Sequence, residues 1–111
     1  LCVTLDEEKA RDVTVLDVRG LTLLADYFVL CTGNSPTHIR AVAEGVQEKL
    51  RERFNLRAKP EGGAESEWIV MDYGDVIAHI FSEEVREFYD LEGLWADARR
   101  TIWMPATALV K

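Results

Sequence analysis

The sequence predicts an α/β (α+β) domain built on a mixed β-sheet of about five strands flanked by helices. Three observations carry that prediction. A nearly continuous apolar run, Tyr27 to Gly33, has the length of a strand buried on both faces. The stretch after it repeats apolar residues at three- and four-residue spacing, as a helix with one covered face does. Two alternating runs on either side of Gly74 then read as a tight hairpin. With 111 residues the chain is long enough for a single core that buries about two-thirds of the unfolded surface.

In chain order, a helical start is compatible with the first residues, and "DVTVLDV", Asp12 to Val18, reads as a strand rich in β-branched residues. "YFVLCTG" follows as the expected central strand. Ser35 then stands as an N-cap with Pro36 at the first helical position, where its missing N–H costs nothing. The stripe Ile39, Val42, Ala43, Val46 and Leu50 should face the sheet. His38 falls in the first turn, where the helix dipole disfavours an imidazolium, and reads as a surface histidine. "LRAKPEGGAESE", with Pro60 and two adjacent glycines, suits a short edge strand and a loop.

In the hairpin, alternation puts Trp68, Val70 and Asp72 on one face and Ile69, Met71 and Tyr73 on the other. In its second arm Val76, Ala78 and Ile80 oppose Asp75, Ile77, His79 and Phe81. Ser82 then caps a second helix with Glu83 and Glu84 at the favourable end of its dipole, and Gly93 predicts a bend near Asp90 to Gly93. After Ala98 no pattern assigns an element, and Pro105 argues against a long terminal helix.

Charge is distributed unevenly. Between Asp72 and Asp97 stand eight acids and one base, Arg86, so this segment alone carries the whole net charge of −7. Charge alone reads first as a solvated face; such a tract would also repel a phosphate backbone, so no direct DNA binding is expected, and would be drawn to a basic protein surface. No apolar run approaches the roughly 20 residues of a membrane span. The start has neither a basic end nor a long apolar run, so it reads as no secretory signal, and the absence of an initiator methionine suits a chain with residues upstream. Cys2 and Cys31 are too few for a disulfide framework and read as free thiols of a reducing compartment, Cys31 as a small buried hydrophobe.

Catalysis finds little support. Asp72 and Asp75 flank a turn, and alternation alone does not make them converge; His79 could share a face with Asp75, but a third metal ligand is missing. "TGNS", Thr32 to Ser35, joins a strand to a helix N-terminus, where phosphates bind, yet it lacks the lysine of a P-loop and the repeated glycines of a dinucleotide fingerprint. Nucleotidyltransferases place a glycine-serine pair at such a turn, but their acidic pair on the next strand has no counterpart here. A divergent nucleotidyltransferase using Ser35 with Asp72 or Asp75 is therefore the rival to a binding role, and no cofactor or metal is expected.

"EWIVMDYGDVIAHIFSEEVREFYDLEGLWADA", with "ADYFVLCTGNSPTHIRAVAEGV" upstream, resembles the ribosomal silencing factor, or Iojap-like, family over about residues 12–98. The features that carry the resemblance are Trp68 opening a strand, the turn "DYGD", His79 in the next strand and "FYDLEGLW", Phe88 to Trp95. It implies one domain over residues 1–111, with a nucleotidyltransferase-like fold lacking that family's catalytic residues. It further implies binding to the large ribosomal subunit through its protein L-fourteen, so that the small subunit cannot join and translation falls. Organellar relatives act in ribosome assembly; a bacterial member would be cytoplasmic, and the free chain could form a homodimer.

On that reading Trp68, Phe81, Tyr89, Leu91, Leu94 and Trp95 are the apolar candidates for the docking surface, with His79 beside them. Asp72, Asp75, Asp90 and Glu92 are expected to ring an apolar centre of Trp68, Leu91 and Trp95. Phe88 is expected in the core.

Overall fold

The computed structural model describes residues 1–104. Along the chain run α1 (Cys2–Glu7), β1 (Arg11–Asp17), β2 (Tyr27–Thr32), α2 (Pro36–Phe54), β3 (Lys59–Gly63), a 3-10 turn (Ala64–Ser66), β4 (Trp68–Asp72), β5 (Val76–Phe81), α3 (Glu83–Tyr89), α4 (Leu91–Leu94) and β6 (Arg99–Ile102). The strands form one sheet in the order β3-β4-β5-β2-β1-β6. β2 and β5 pair in parallel, and the other neighbours are antiparallel. The parallel pair needs a long crossover, which α2, β3 and β4 supply.

β2 sits inside the sheet, and its residues from Phe28 to Thr32 are all buried, as its apolar run requires. The sheet has six strands where about five were expected. The extra one is β6, antiparallel to β1 at the edge, and all four of its residues are exposed. An edge strand with two arginines and no buried face carries no alternation to read.

The sheet's alternation sends apolar side chains into two separate cores. On one face Val13, Val29, Cys31, Ile69, Met71, Ala78 and Ile80 meet the α2 stripe Ile39, Val42, Ala43, Val46 and Leu50, with Leu5 of α1 alongside. On the other face Leu16, Phe28, Leu30 and Phe81 are covered by Val85, Leu91, Trp95 and Ala98, with Trp68 and Ile77 partly buried among them.

Local chemistry fixes the ends of α2. The Ser35 side chain accepts from the His38 amide at 3.1 Å, and Asn55 closes the helix in the left-handed conformation at φ 55°. The Leu56 amide reaches back to the Leu50 carbonyl at 3.2 Å, satisfying one of the last free carbonyls. Gly33 leads into this helix because a Cβ there would press into the Ile39 side chain. His38 departs from its expected place at the surface: it is half-buried. Its Nδ1 accepts from the Asn34 amide at 2.9 Å, which leaves the proton on Nε2 to bond the Glu8 carbonyl at 3.1 Å. It ties α1 to the α2 N-terminus.

Candidate docking surface

The stretch from Asp72 to Asp75 is a hairpin tip. The Tyr73 amide donates to the Val76 carbonyl at 2.9 Å, closing a two-residue loop. Gly74 takes φ +89° there, a conformation that side-chain-bearing residues resist. The Asp72 carboxylate accepts from the Gly74 amide at 2.8 Å, and the Asp75 carbonyl accepts from the Asp26 and Tyr27 amides. Asp72 thus shapes the turn, and the Asp75 backbone fastens it to the start of β2.

At the opposite end of the hairpin, Trp68 pairs with Phe81 and Val70 with His79. The Trp68 indole N–H donates to His79 Nδ1 at 3.2 Å. Indole can only donate, so His79 is neutral with its proton on Nε2. Burial of the imidazole disfavours its charged form and brings its pKa down to about 4. Aromatic rings continue outward from this pair: Phe28 meets His79 and Trp95 edge-on at 5.5 and 5.4 Å, and Tyr89 lies 4.8 Å from Trp68.

α3 and α4 form the outer layer. Ser82 caps α3 by accepting from the Val85 amide, and Glu83 and Glu84 occupy its first turn. The predicted bend falls at Asp90, which adopts φ 45° and then caps α4 by accepting from the Gly93 amide at 3.1 Å. Gly93 is fitted to this cap, since a Cβ would strike the Asp90 carboxylate.

Arg86, the one base of the acidic tract, fastens this layer to the sheet. Its side chain is only 11% exposed. Its guanidinium donates to both Glu92 carboxylate oxygens at 3.1 and 3.2 Å, to the Thr32 and Thr14 hydroxyls at 2.9 and 3.1 Å, and to the Asp12 carbonyl at 2.9 Å. The β1 register shifts between Arg11 and Thr14, and Asp12 has φ 51°. This bulge turns the Asp12 carbonyl toward the guanidinium. A cleft of about 480 Å³ opens here, lined among others by Arg86, Glu83, Glu87, Asp90, Glu92 and Arg100. Sequence reasoning missed Arg86; the signal available was a lone base among eight acids.

The structure redistributes the predicted site residues. Phe81 is fully buried and His79 nearly so, which makes them the floor of the layer rather than its surface. Trp68, Leu91 and Trp95 are half-buried in the second core, because the outer layer is thin enough that its largest side chains must seal the sheet. Tyr89 (53% exposed) and Leu94 (72%) are open to solvent. Phe88 corrects the expectation of core packing: it is 78% exposed. Val85 and Arg86 take the inward positions, so the place that apolar periodicity assigns to Phe88 is filled by an arginine.

The expected ring of carboxylates does not form. Asp90 and Glu92 line the Arg86 cleft, whereas Asp75 lines a separate cavity with α2 residues Leu50 and Phe54. Asp72 lies four strand residues, about 13 Å, from Trp68. The acids beside the exposed apolar side chains are instead Glu83, Glu84, Glu87 and Asp90, all exposed. Glu84 and Phe88, four residues apart, share a helix face.

The "TGNS" turn is occupied by its own side chains. Ser35 caps the helix, the Asn34 amide bonds His38, and the Asn34 side chain accepts from Arg11 Nε at 2.6 Å. Among the described residues no three histidine, cysteine or acidic side chains gather so as to hold a metal ion. Cys31 is buried, and desolvation pushes its thiol up to about 12, which makes it a core residue rather than a nucleophile. None of the described helices is long and apolar enough to cross a membrane.

Fold and surface together define the class: an α+β domain on a mixed six-stranded sheet, with one thick helical layer and one thin, acidic layer that exposes aromatic residues. The family described as ribosomal silencing factor during starvation matches residues 1–110. A ribosomal silencing factor RsfS of Bacillus subtilis is 40% identical over 93 residues, 84% of this chain and 79% of that protein. The mitochondrial Iojap-related protein of Arabidopsis thaliana is 32% identical, over 83% of this chain and 52% of its own length. A crystal structure from Chromobacterium violaceum superposes with a TM-score of 0.80 at 33% identity, covering 95% of this chain and 88% of that one. The chain belongs to the ribosomal silencing factor family.

Proposed function

We propose that this chain represses translation by binding the large ribosomal subunit through ribosomal protein L-fourteen, where its bulk blocks joining of the small subunit. The observation that carries the reading is the α3–α4 layer, with Phe88, Tyr89 and Leu94 exposed beside Glu83, Glu84, Glu87 and Asp90. Exposed aromatic and large aliphatic side chains supply affinity when a partner desolvates them, and surrounding acids steer a basic partner and set its register. Trp68, Leu91, Trp95, His79 and Phe81 act from beneath by holding Tyr89 and the two helices in place. Asp72 and Asp75 contribute charge at the hairpin tip, and Glu92 serves through Arg86.

The role is one of binding, with no reaction and no cofactor. Its place is the bacterial cytoplasm, or an organelle in a eukaryote. A part in ribosome biogenesis accompanies it, since a mouse relative 34% identical over 94 residues is named for mitochondrial assembly of the ribosomal large subunit. The exposed aromatic residues also give the free chain a surface for a homodimer.

The test is a sucrose gradient of purified subunits under joining conditions, with and without the protein. Sedimentation of the protein with the large subunit, together with a smaller joined-ribosome peak, supports the reading. A folded protein that stays at the top while joining proceeds overturns it. Pull-down by isolated L-fourteen then tests the named partner.

A further inference from the structure

The two edges of the sheet differ. β3, at one end of the strand order, contains Pro60, which has no N–H to offer, and Gly62 at φ +80°, so it presents no regular ladder to a further strand. β6, at the other end, has β1 as its one neighbour among the described residues. The register decides which of its backbone groups are already used. The Trp103 amide donates to the Val13 carbonyl at 2.9 Å, and the pairs Val15–Thr101 and Asp17–Arg99 follow at two-residue steps. Bonded and unbonded pairs alternate in an antiparallel ladder, so Arg100 and Ile102 turn their N–H and C=O groups away from β1. No turn or loop among the described residues takes up those groups.

The side chains of the same two residues line the Arg86 cleft. Residues directly opposite in an antiparallel pair share a face, so a strand laid along β6 would set alternate side chains over that cleft. The cleft is acidic. With Arg86 paired to Glu92, its lining acids Asp12, Glu83, Glu87 and Asp90 face Arg100 as the one other base. A second copy of β6 is a poor occupant, since it brings two arginines to an edge that already carries two.

From the open edge and the acids beside it, we propose that β6 receives an extended segment of a partner protein as an antiparallel seventh strand, with a lysine or arginine opposite Ile102 and a small polar residue opposite Arg100. Main-chain bonds at Arg100 and Ile102 supply the pairing, and the cleft acids select the cation. The added strand covers Ile102, which is 69% exposed. It uses the sheet edge rather than the exposed Phe88, Tyr89 and Leu94, so it does not rest on the identity of the protein that those residues dock.

The test is a titration of the isotopically labelled whole chain with acetyl-Thr-Val-Lys-Val-Thr-amide, followed by amide NMR and hydrogen exchange. At a peptide concentration about ten times Kd, exchange at Arg100 and Ile102 should slow about tenfold, while Thr101, already bonded to β1, should change little. The peptide with glutamate in place of lysine should bind more weakly. Methylating the peptide's lysine amide nitrogen, which would face β6, should abolish binding, whereas methylating the valine nitrogens, which face away, should not. Ile102→Pro removes an outward N–H and spares the inward-facing Thr101 amide, so it should stay folded and lose the peptide. Absence of saturable shifts at Arg100 and Ile102, equal binding of the glutamate peptide, or indifference to which nitrogen is methylated overturns the proposal. None of these outcomes bears on the subunit-joining experiment, because the probe is a peptide and the docking residues of α3 and α4 are untouched.

Discussion

The two faces of the sheet are covered by different means. Under α2, five helix side chains are fully buried against strand residues that are themselves buried, and the contact is almost wholly apolar. Under α3 and α4, neither helix contributes a fully buried residue. That layer is held by half-buried aromatic rings, the Trp68–His79 hydrogen bond and the Arg86 network. A thick apolar interface stabilises in proportion to buried area and tolerates little change. A thin layer fixed by polar bonds contributes less to stability but holds exposed side chains in a defined arrangement, which is what a docking surface requires.

The contrast predicts different responses to substitution, and the largest belongs to the thick side. Ile39→Ala empties a fully buried position against Gly33 and should cost about 2–5 kcal/mol, through lost transfer free energy and the cavity left behind. Urea unfolding followed by fluorescence measures it. A loss under 1 kcal/mol would show that the α2 core is no better packed than the other face.

Acid should act through the thin side. The folded chain binds a proton at His79 only near pH 4, while the unfolded chain binds it near the ordinary 6.5. This group therefore leaves stability flat above about pH 6.5, lowers it progressively as the pH falls to about 4, and removes about 3 kcal/mol in full. His79→Asn keeps an acceptor for the Trp68 indole without a titrating ring. Subtracting its stability profile from that of the wild type isolates the effect, and parallel profiles between pH 4 and 6.5 would contradict it.

Arg86→Met should cost about 2–3 kcal/mol, less than a fully buried pair because Glu92 keeps 21% exposure. The loss should be local. Hydrogen exchange in residues 83–98 should quicken more than in α2, and subunit binding should weaken even while the sheet remains folded. Uniform acceleration across both faces would mean that Arg86 supports the whole fold instead of the outer layer.

These differences also explain what could be read from sequence. α2 was legible because one helix against one sheet imposes a 3.6-residue period, and β2 because burial on both faces leaves no polar position. Gly74 announced the hairpin. β6 was not legible, since an exposed edge strand is under no apolar constraint. The carboxylates misled: Asp72 and Asp90 share acidity but bond different backbone amides at different ends of the molecule. Phe88 was expected inside because helical periodicity assumes an apolar inner side, and α3 turns an arginine inward instead. Arg86 needs Thr14, Thr32 and the Asp12 bulge for that, partners 54 to 74 residues away in sequence.

The smallest effect on stability should accompany the largest on binding. Tyr89 and Leu94 are mostly solvent-exposed, so replacing both with alanine removes little buried area from the folded chain and should cost under about 1 kcal/mol. If they anchor the partner, the same pair should lose at least about 2 kcal/mol of binding, roughly thirtyfold, because in the complex they would be desolvated. Leu91→Ala with Trp95→Ala cannot make this separation, since those residues also seal the second core and the variant loses both properties together. A folded Tyr89→Ala, Leu94→Ala protein that still travels with the large subunit would move the docking surface off α3–α4. A folded one that stays at the top of the gradient would show that this layer's exposed residues serve binding while those beneath serve the fold.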